Sequence, residues 1–209
     1  MHQSDITPSD VLQFWFGSTD LMAQPGKEAR TRWFQRSDDF DREIARRFSS
    51  TIKHAVDRQL SSWNTSLAGQ LGLILLCDQF LRNIYRGSAQ AFSGDPLALE
   101  ISQSLANGDQ LRELGLHQRA IVGMPLEHSE RPDIQEQSVS YFQQLQQDFA
   151  SDKSGVSQED AQAAESYYRF ALAHQDVIAQ FGRYPHRNQA LGRESTPEER
   201  HWLEQGGGF

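Results

Sequence analysis

Three short stretches of this 209-residue chain concentrate the side chains that can do chemistry. The first holds Asp78, Gln79, Arg82, Asn83 and Arg86. At 100° per residue of a helix, these five fall within an arc of roughly 140°. Arg82 and Arg86 can offer paired donors to a carboxylate or a phosphate. The same i, i+4, i+8 spacing from Asp78 also suits intrahelical ion pairs, so a buried structural network is the competing use. Two guanidinium groups against one acid leave a positive surplus, which favours an anion unless Glu127 or Glu130 takes the second arginine. The second stretch runs from Pro125 to Glu130. It puts Glu127 and Glu130 on one helical face and turns His128 about 100° away. A glutamate beside a histidine can act as general acid or base when burial shifts its titration, which makes Glu127, His128 and Glu130 the candidate catalytic groups. The third stretch, Arg183, His186, Arg187 and Asn188 around Pro185, packs four polar side chains into a loop. Such a loop can hold a ligand, or it can staple a neighbouring helix through buried hydrogen bonds.

Other chemistries find less support. As metal ligands, Glu127 and His128 have neither a His-Glu-x-x-His nor a His-x-x-x-His spacing. His174 and His186 would have to complete a two-histidine, one-carboxylate set from afar, so no metal site is assigned. His174 stands as the one polar member of an otherwise apolar stripe, where a satisfied core histidine is the commoner role. Cys77, the single cysteine, lies in an apolar run and reads as inert. No nucleophile elbow and no phosphate-binding glycine loop occur, and no cofactor is implied. The closing glycines, Gly206 to Gly208, read as a flexible tail.

Composition bounds the class. Hydrophobic residues make up 37% and aromatics 10%, which suits a globular chain able to bury a core. The net charge of −8 argues against non-specific binding to nucleic acid or to an anionic membrane. The apolar run from Leu73 to Cys77 is far too short to cross a bilayer. The first eight residues lack the basic-then-apolar pattern of a secretory leader, and a cytoplasmic location is the expectation.

The elements that must position these residues are helical throughout. Thr7 and Pro8 start a helix that Gly17 ends. A brief helix from Lys27 to Gln35 carries Trp33 and Phe34. Ser37 caps a longer one to about Leu60, with Phe40, Ile44, Phe48, Ile52 and Val56 as its apolar stripe. After a turn at residues 61–65, a central helix runs from Leu67 to about Gly87. It is apolar on nearly every side in its first half and polar along one stripe in its second, so that stripe should face a buried or half-buried cavity. Asp95 and Pro96 open the next helix as Thr7 and Pro8 do, and Asn107 and Gly108 close it. A helix from Leu116 is disturbed at Pro125, which makes residues 125–130 a distorted helix end. Ile134, Val139, Phe142, Leu145 and Phe149 mark another amphipathic helix. Residues 150–157 form a loop, and Ser157 restarts a helix that Gly182 stops. Its buried stripe is Ala164, Tyr167, Ala171, His174, Ile178 and Phe181. Residues 183–188 are a loop, and Thr196 with Glu199 forms a capping box for a last short helix. The four tryptophans, Trp15, Trp33, Trp63 and Trp202, are packing residues. The fold class is all-α: a single domain over residues 1–209, with about nine helices, mostly antiparallel neighbours.

The segments 78–86, 125–130 and 181–188, continued by Leu191 to Arg193 and Ser195 to Glu199, form a specific set together with Val11 to Gly17. In these the chain resembles the bacterial domain-of-unknown-function family 924. The resemblance implies an all-helical fold similar to right-handed tetratricopeptide superhelices, and it implies no established activity. Members often carry proline where this chain has Leu81. Leucine restores a backbone donor and permits an unkinked helix there.

The functional expectation is a ligand-binding helical protein. Its ligand-binding residues are Asp78, Gln79, Arg82, Asn83, Arg86, His174, Arg183, His186, Arg187 and Asn188, and its occupant a small carboxylate or phosphate. Two alternatives are an enzyme using Glu127, His128 or Glu130 for proton transfer, and an interaction module binding an acidic peptide end.

Overall fold

The computed structural model describes residues 6–208, apart from the side chain of Phe34. The expectations for the leader and for Phe34 packing therefore lie outside what is described, in whole or in part. Among the described residues there is no strand. Ten α-helical segments occur, α1 (Pro8–Phe16), α2 (Lys27–Phe34), α3 (Asp38–Val56), α4 (Leu67–Ile74), α5 (Leu81–Ile84), α6 (Asp95–Ala106), α7 (Leu116–Glu127), α8 (Pro132–Asp148), α9 (Gln158–Phe181) and α10 (Pro197–Glu204). A π-helical stretch, Leu75–Phe80, joins α4 to α5, so the two read as one helix and the described helices number nine. The chain forms two compact units, one of Met1–Arg86 with Ala91–Pro125, the other of Gly87–Gln90 with Leu126–Phe209. No helix among the described residues is long and apolar enough to cross a membrane.

In the first unit, α1 is closed at both ends by local chemistry. Thr7 and Asp10 exchange capping bonds, and Gly17 takes the left-handed conformation at φ 77°. Val11, Leu12, Trp15 and Phe16 are buried. On α3, Phe40, Ile44, Phe48 and Ile52 are buried as the spacing requires, but the stripe ends on Ala55 rather than Val56. A run of fours drifts by about 40° per step against a 3.6-residue turn, so the buried face has moved one residue back by then. The helix also ends earlier than Leu60. Arg58 adopts φ 58°, while its amide and that of Gln59 bond the carbonyls of Ala55 and His54. This is a Schellman closure built without glycine, so no local signal announced it. Residues Ser61–Thr65 wind as a 3-10 turn.

The central helix is not the uniform one that Leu81 suggested. The π-helical stretch carries Cys77, Asp78 and Gln79 just before Leu81. A wider turn shifts every later side chain from its regular 100° position, and such insertions recur at functional sites. Gly94 packs its backbone directly on this stretch. A Cβ there would lie 2.3 Å from the Cys77 carbonyl oxygen and 2.7 Å from its Cα, so only glycine fits. Gly94 is accordingly the N-cap of α6, and Asp95 sits inside the first turn instead of capping it. Pro125 does not end α7, which continues to Glu127.

In the second unit, α8 and α9 form an antiparallel pair joined by the loop at 149–157. Phe142 meets Tyr167 at 6.4 Å between ring centroids, which fixes their register. Ala164, Ala171, His174, Val177 and Ile178 are the buried residues of α9, with Tyr167 and Phe181 half-buried. Phe181 and Trp202 meet at 5.5 Å, so α10 docks by its tryptophan on the Val177, Ile178 and Tyr184 cluster. The glycines that follow are not a free tail. Gly206 takes φ 84°, the Gly206 amide bonds the Leu203 carbonyl and the Gly207 amide the Trp202 carbonyl. They close α10. Phe209 lies outside the described residues.

Candidate functional site

The polar stripe of the first unit is held by acids from two other helices. Arg82 forms a two-pronged bridge to Asp95 of α6, at 2.9 and 3.1 Å. It also lies 3.0 Å from Asp78 and donates to the Asp78 carbonyl. Asp41 of α3 accepts from Asn83 at 2.7 Å and from Arg86 at 2.8 and 3.2 Å. Gln79 donates to Asp78 at 2.6 Å. Asp78 is 1% exposed and Asn83 is buried, while Arg82 and Gln79 are half-buried and Arg86 is exposed. The surplus of positive charge inferred from the stripe alone is therefore absent here. Asp41, Asp78 and Asp95 face two guanidinium groups, and the local balance is negative. Neither Asp41 nor Asp95 was singled out from sequence, because each had a simpler use at the start of its own helix. Cys77, beside the stripe, is fully buried. Burial, with Asp78 and Asp95 nearby, pushes its thiol up to about 12, so it is an inert group.

In the second unit residues 127–130, α9 and the Arg183–Asn188 loop do come together. Tyr184 is the residue they share. Its hydroxyl donates to the Glu127 carbonyl and accepts from Gln135 Nε2 at 2.9 Å. His174 packs edge-on at 5.7 Å from its ring, and His186 lies at 5.5 Å. His128 lies 6.2 Å from His174. The Arg187 guanidinium covers the tyrosine ring at 4.4 Å and donates to the His128 carbonyl at 2.9 Å. Fifty-nine residues separate His128 from Arg187 along the chain. The cluster grades from an exposed His186, through a half-buried His128, to buried His174 and Arg187.

Charge and hydrogen bonding assign states to these groups. His174 Nδ1 lies 2.8 Å from the Phe170 carbonyl, which can only accept, so Nδ1 carries the proton and Nε2 is the acceptor nitrogen. Burial, helped by His128, Arg187 and His186, lowers its pKa to about 3, so the ring is neutral at neutral pH. Tyr184 is pushed well above an ordinary phenol, chiefly by burial. Burial alone would raise Glu130. The Arg193 fork, at 2.6 and 2.9 Å, and the Tyr184 amide, at 2.8 Å, outweigh it and hold the carboxyl below its usual range. A carboxylate so held is a poor proton donor at neutral pH.

Arg183 and Asn188 turn instead toward α10. Arg183 bridges Glu199 at 2.6 and 2.9 Å, and Asn188 donates to Glu199 at 3.1 Å. This is the stapling role foreseen for the loop. Sequence reasoning passed over Gln135, Tyr184 and Arg193. Tyr184 and Arg193 lie inside the segments that carry the family resemblance, but Gln135 gave no signal. Among the described residues, no group of three histidine, cysteine or acidic side chains is placed to hold a metal ion.

An all-α chain with two buried polar clusters, each knitted by arginine, is the class that fold and site define. The pattern of the family described as "Bacterial protein of unknown function (DUF924)" matches residues 11–207, and the chain belongs to that family. It is similar to the solved structure of the protein of unknown function ATU0120 from Agrobacterium tumefaciens, at 30% identity and a TM-score of 0.77. That match covers 95% of this chain and 97% of the other. No curated protein matches.

Proposed function

We propose that the second unit binds a small anion, a carboxylate or a phosphate, beside Tyr184. The supporting observation is the gathering of Arg187, His174 and His186 around the Tyr184 ring, with His128 beside His174, drawn from three separate stretches of chain. His174 is kept neutral chiefly by burial, with His128, Arg187 and His186 adding to it. An anion among these groups accepts charge-assisted hydrogen bonds. Arg187 supplies the fixed charge, and His128 and His186 add charge as they protonate. His174, neutral, contributes hydrogen bonding and shape. The polar stripe of the first unit is taken as a structural clamp, since its arginines are already bridged to acids. A superhelical stacking of the tetratricopeptide kind and a cytoplasmic location belong to the same proposal.

The test is isothermal titration with inorganic phosphate and with propanoate, at about pH 6 and about pH 8. Binding that is tighter at the lower pH and weakened at least about tenfold in Arg187→Lys, whose point charge cannot reproduce a planar fork, supports the reading. His186→Gln, at an exposed position, should weaken binding while leaving the melting temperature unchanged. No heat and no thermal shift with either anion would refute it.

A further inference from the structure

Gly206, Gly207 and Gly208 each meet a separate demand, and together they route the chain from α10 back to His186. Gly206 takes φ 84° and opens a Schellman closure. Its amide bonds the Leu203 carbonyl at 3.1 Å, and the Gly207 amide bonds the Trp202 carbonyl at 3.0 Å. Gly207 rests on the Trp202 indole. A Cβ there would sit 2.3 Å from the ring atom Cδ2 and 2.5 Å from Cε2 and Cε3, so a side chain does not fit. Gly208 takes φ 139°, which residues with a side chain rarely adopt. Three such demands at successive positions describe a shaped strap. It arrives beside the Tyr184 site, where a Cβ on Gly208 would lie 3.8 Å from the Cβ of His186, within van der Waals range. His186 stands on the 3-10 turn Pro185–Arg187, and its imidazole lies 5.5 Å from the Tyr184 ring.

We infer that Gly206–Gly208 is a positioning element of the anion site: by passing against the base of the His186 side chain, it holds the imidazole on the Tyr184 ring. This rests on the anion site proposed above and adds to it a strap anchored on Trp202. His186 is exposed, and an exposed side chain has three staggered χ1 wells to choose from. One of them sets the imidazole against Tyr184. A chain at van der Waals range from the Cβ fills space that another well needs. Closing one well of three raises the share of the useful one from about a third to about a half, and closing two raises it to nearly all. The gain in anion affinity is therefore about 1.5-fold to threefold, through a histidine already placed before the ligand arrives. The indole that carries the strap also packs on Phe181 at 5.5 Å, so the docking of α10 reaches the site by this route.

Two readouts on the whole chain test this, three-bond NMR couplings across χ1 of His186 and calorimetric titration with inorganic phosphate and with propanoate. Gly207→Ala lifts the strap off the indole. Gly206→Ala opens the closure without pressing on Trp202, whereas Gly206→Asn tolerates the left-handed conformation and keeps the strap in place. The wild type and Gly206→Asn should show one dominant His186 rotamer, and both alanine variants an average over wells. In the alanine variants the affinity for the anion that binds should fall by about 1.5-fold to threefold. Added to His186→Gln, Gly207→Ala should change nothing further, because the strap acts through the imidazole. A His186 rotamer that is averaged in the wild type, or unmoved in both alanine variants, overturns the inference while the anion site stands. So does an affinity loss that persists in the His186→Gln background. Binding of neither anion by the wild type refutes the anion site, and the inference falls with it.

Discussion

Glu199→Gln removes one charge from the junction that ties α10 to the loop before it. The carboxylate is 2% exposed and accepts four bonds, from Arg183 at 2.6 and 2.9 Å, from the Thr196 amide at 2.8 Å and from Asn188 at 3.1 Å. A glutamine keeps one acceptor and turns the other toward its donors as an amide, so about two bonds to a charged group are lost at about 1.5–3 kcal/mol each. Arg183 is 28% exposed and rehydrates in part, which discounts the total to about 2–3 kcal/mol. For a chain of this length that is a fall in melting temperature of about 4–12 °C. The Arg183 bridge is the main reason the Glu199 pKa drops to about 2, with burial opposing it and the Thr196 amide assisting. A depressed acid stabilises above its unfolded pKa and loses that contribution as pH falls toward its folded pKa. The gap between wild type and variant should therefore be constant above about pH 5 and shrink from about pH 4.5 down to about pH 2. Thermal and urea unfolding followed by circular dichroism at several pH values measure it, with Trp202 emission reporting on α10. A loss under about 0.5 kcal/mol at pH 7, or a gap independent of pH between 5 and 2.5, would refute the reasoning.

Two further outcomes follow from the same geometry. Arg82→Ala strands the carboxylates of Asp78 and Asp95, so it should destabilise by about 2–4 kcal/mol in denaturant titration, and a near-neutral variant would mean the stripe is not a clamp. His174 should show an Nδ1-protonated neutral ring by nitrogen NMR down to about pH 4, and since the unfolded chain protonates it near its ordinary value of 6.5 while the folded chain waits until about 3, stability should decline as pH falls through that window; an imidazolium signal at pH 6 would contradict the assignment.

The residue order alone determined the helices and most of their ends. Thr7, Ser37, Ser157 and Thr196 cap the helices they precede, and Gly17 and Gly182 close two of these at their other ends, because capping bonds join residues only three to five apart. It also picked out the stretches around Asp78, Glu127 and Arg187, since burial of so many polar groups in apolar surroundings needs a reason. What local spacing could not supply was partnership. Asp41 and Asp95 reach the stripe arginines from 45 and 13 residues away, and they reverse the charge balance inferred from Asp78 alone. The π-helical stretch at Leu75–Phe80 and the Arg58 reversal arise from packing and backbone closure rather than from any local signal. Tyr184 likewise gathers His174, His186 and Arg187 around its ring, with His128 beside His174, from stretches far apart along the chain. Electrostatic and hydrogen-bond energies depend on distance in space and on burial, and tertiary packing decides both.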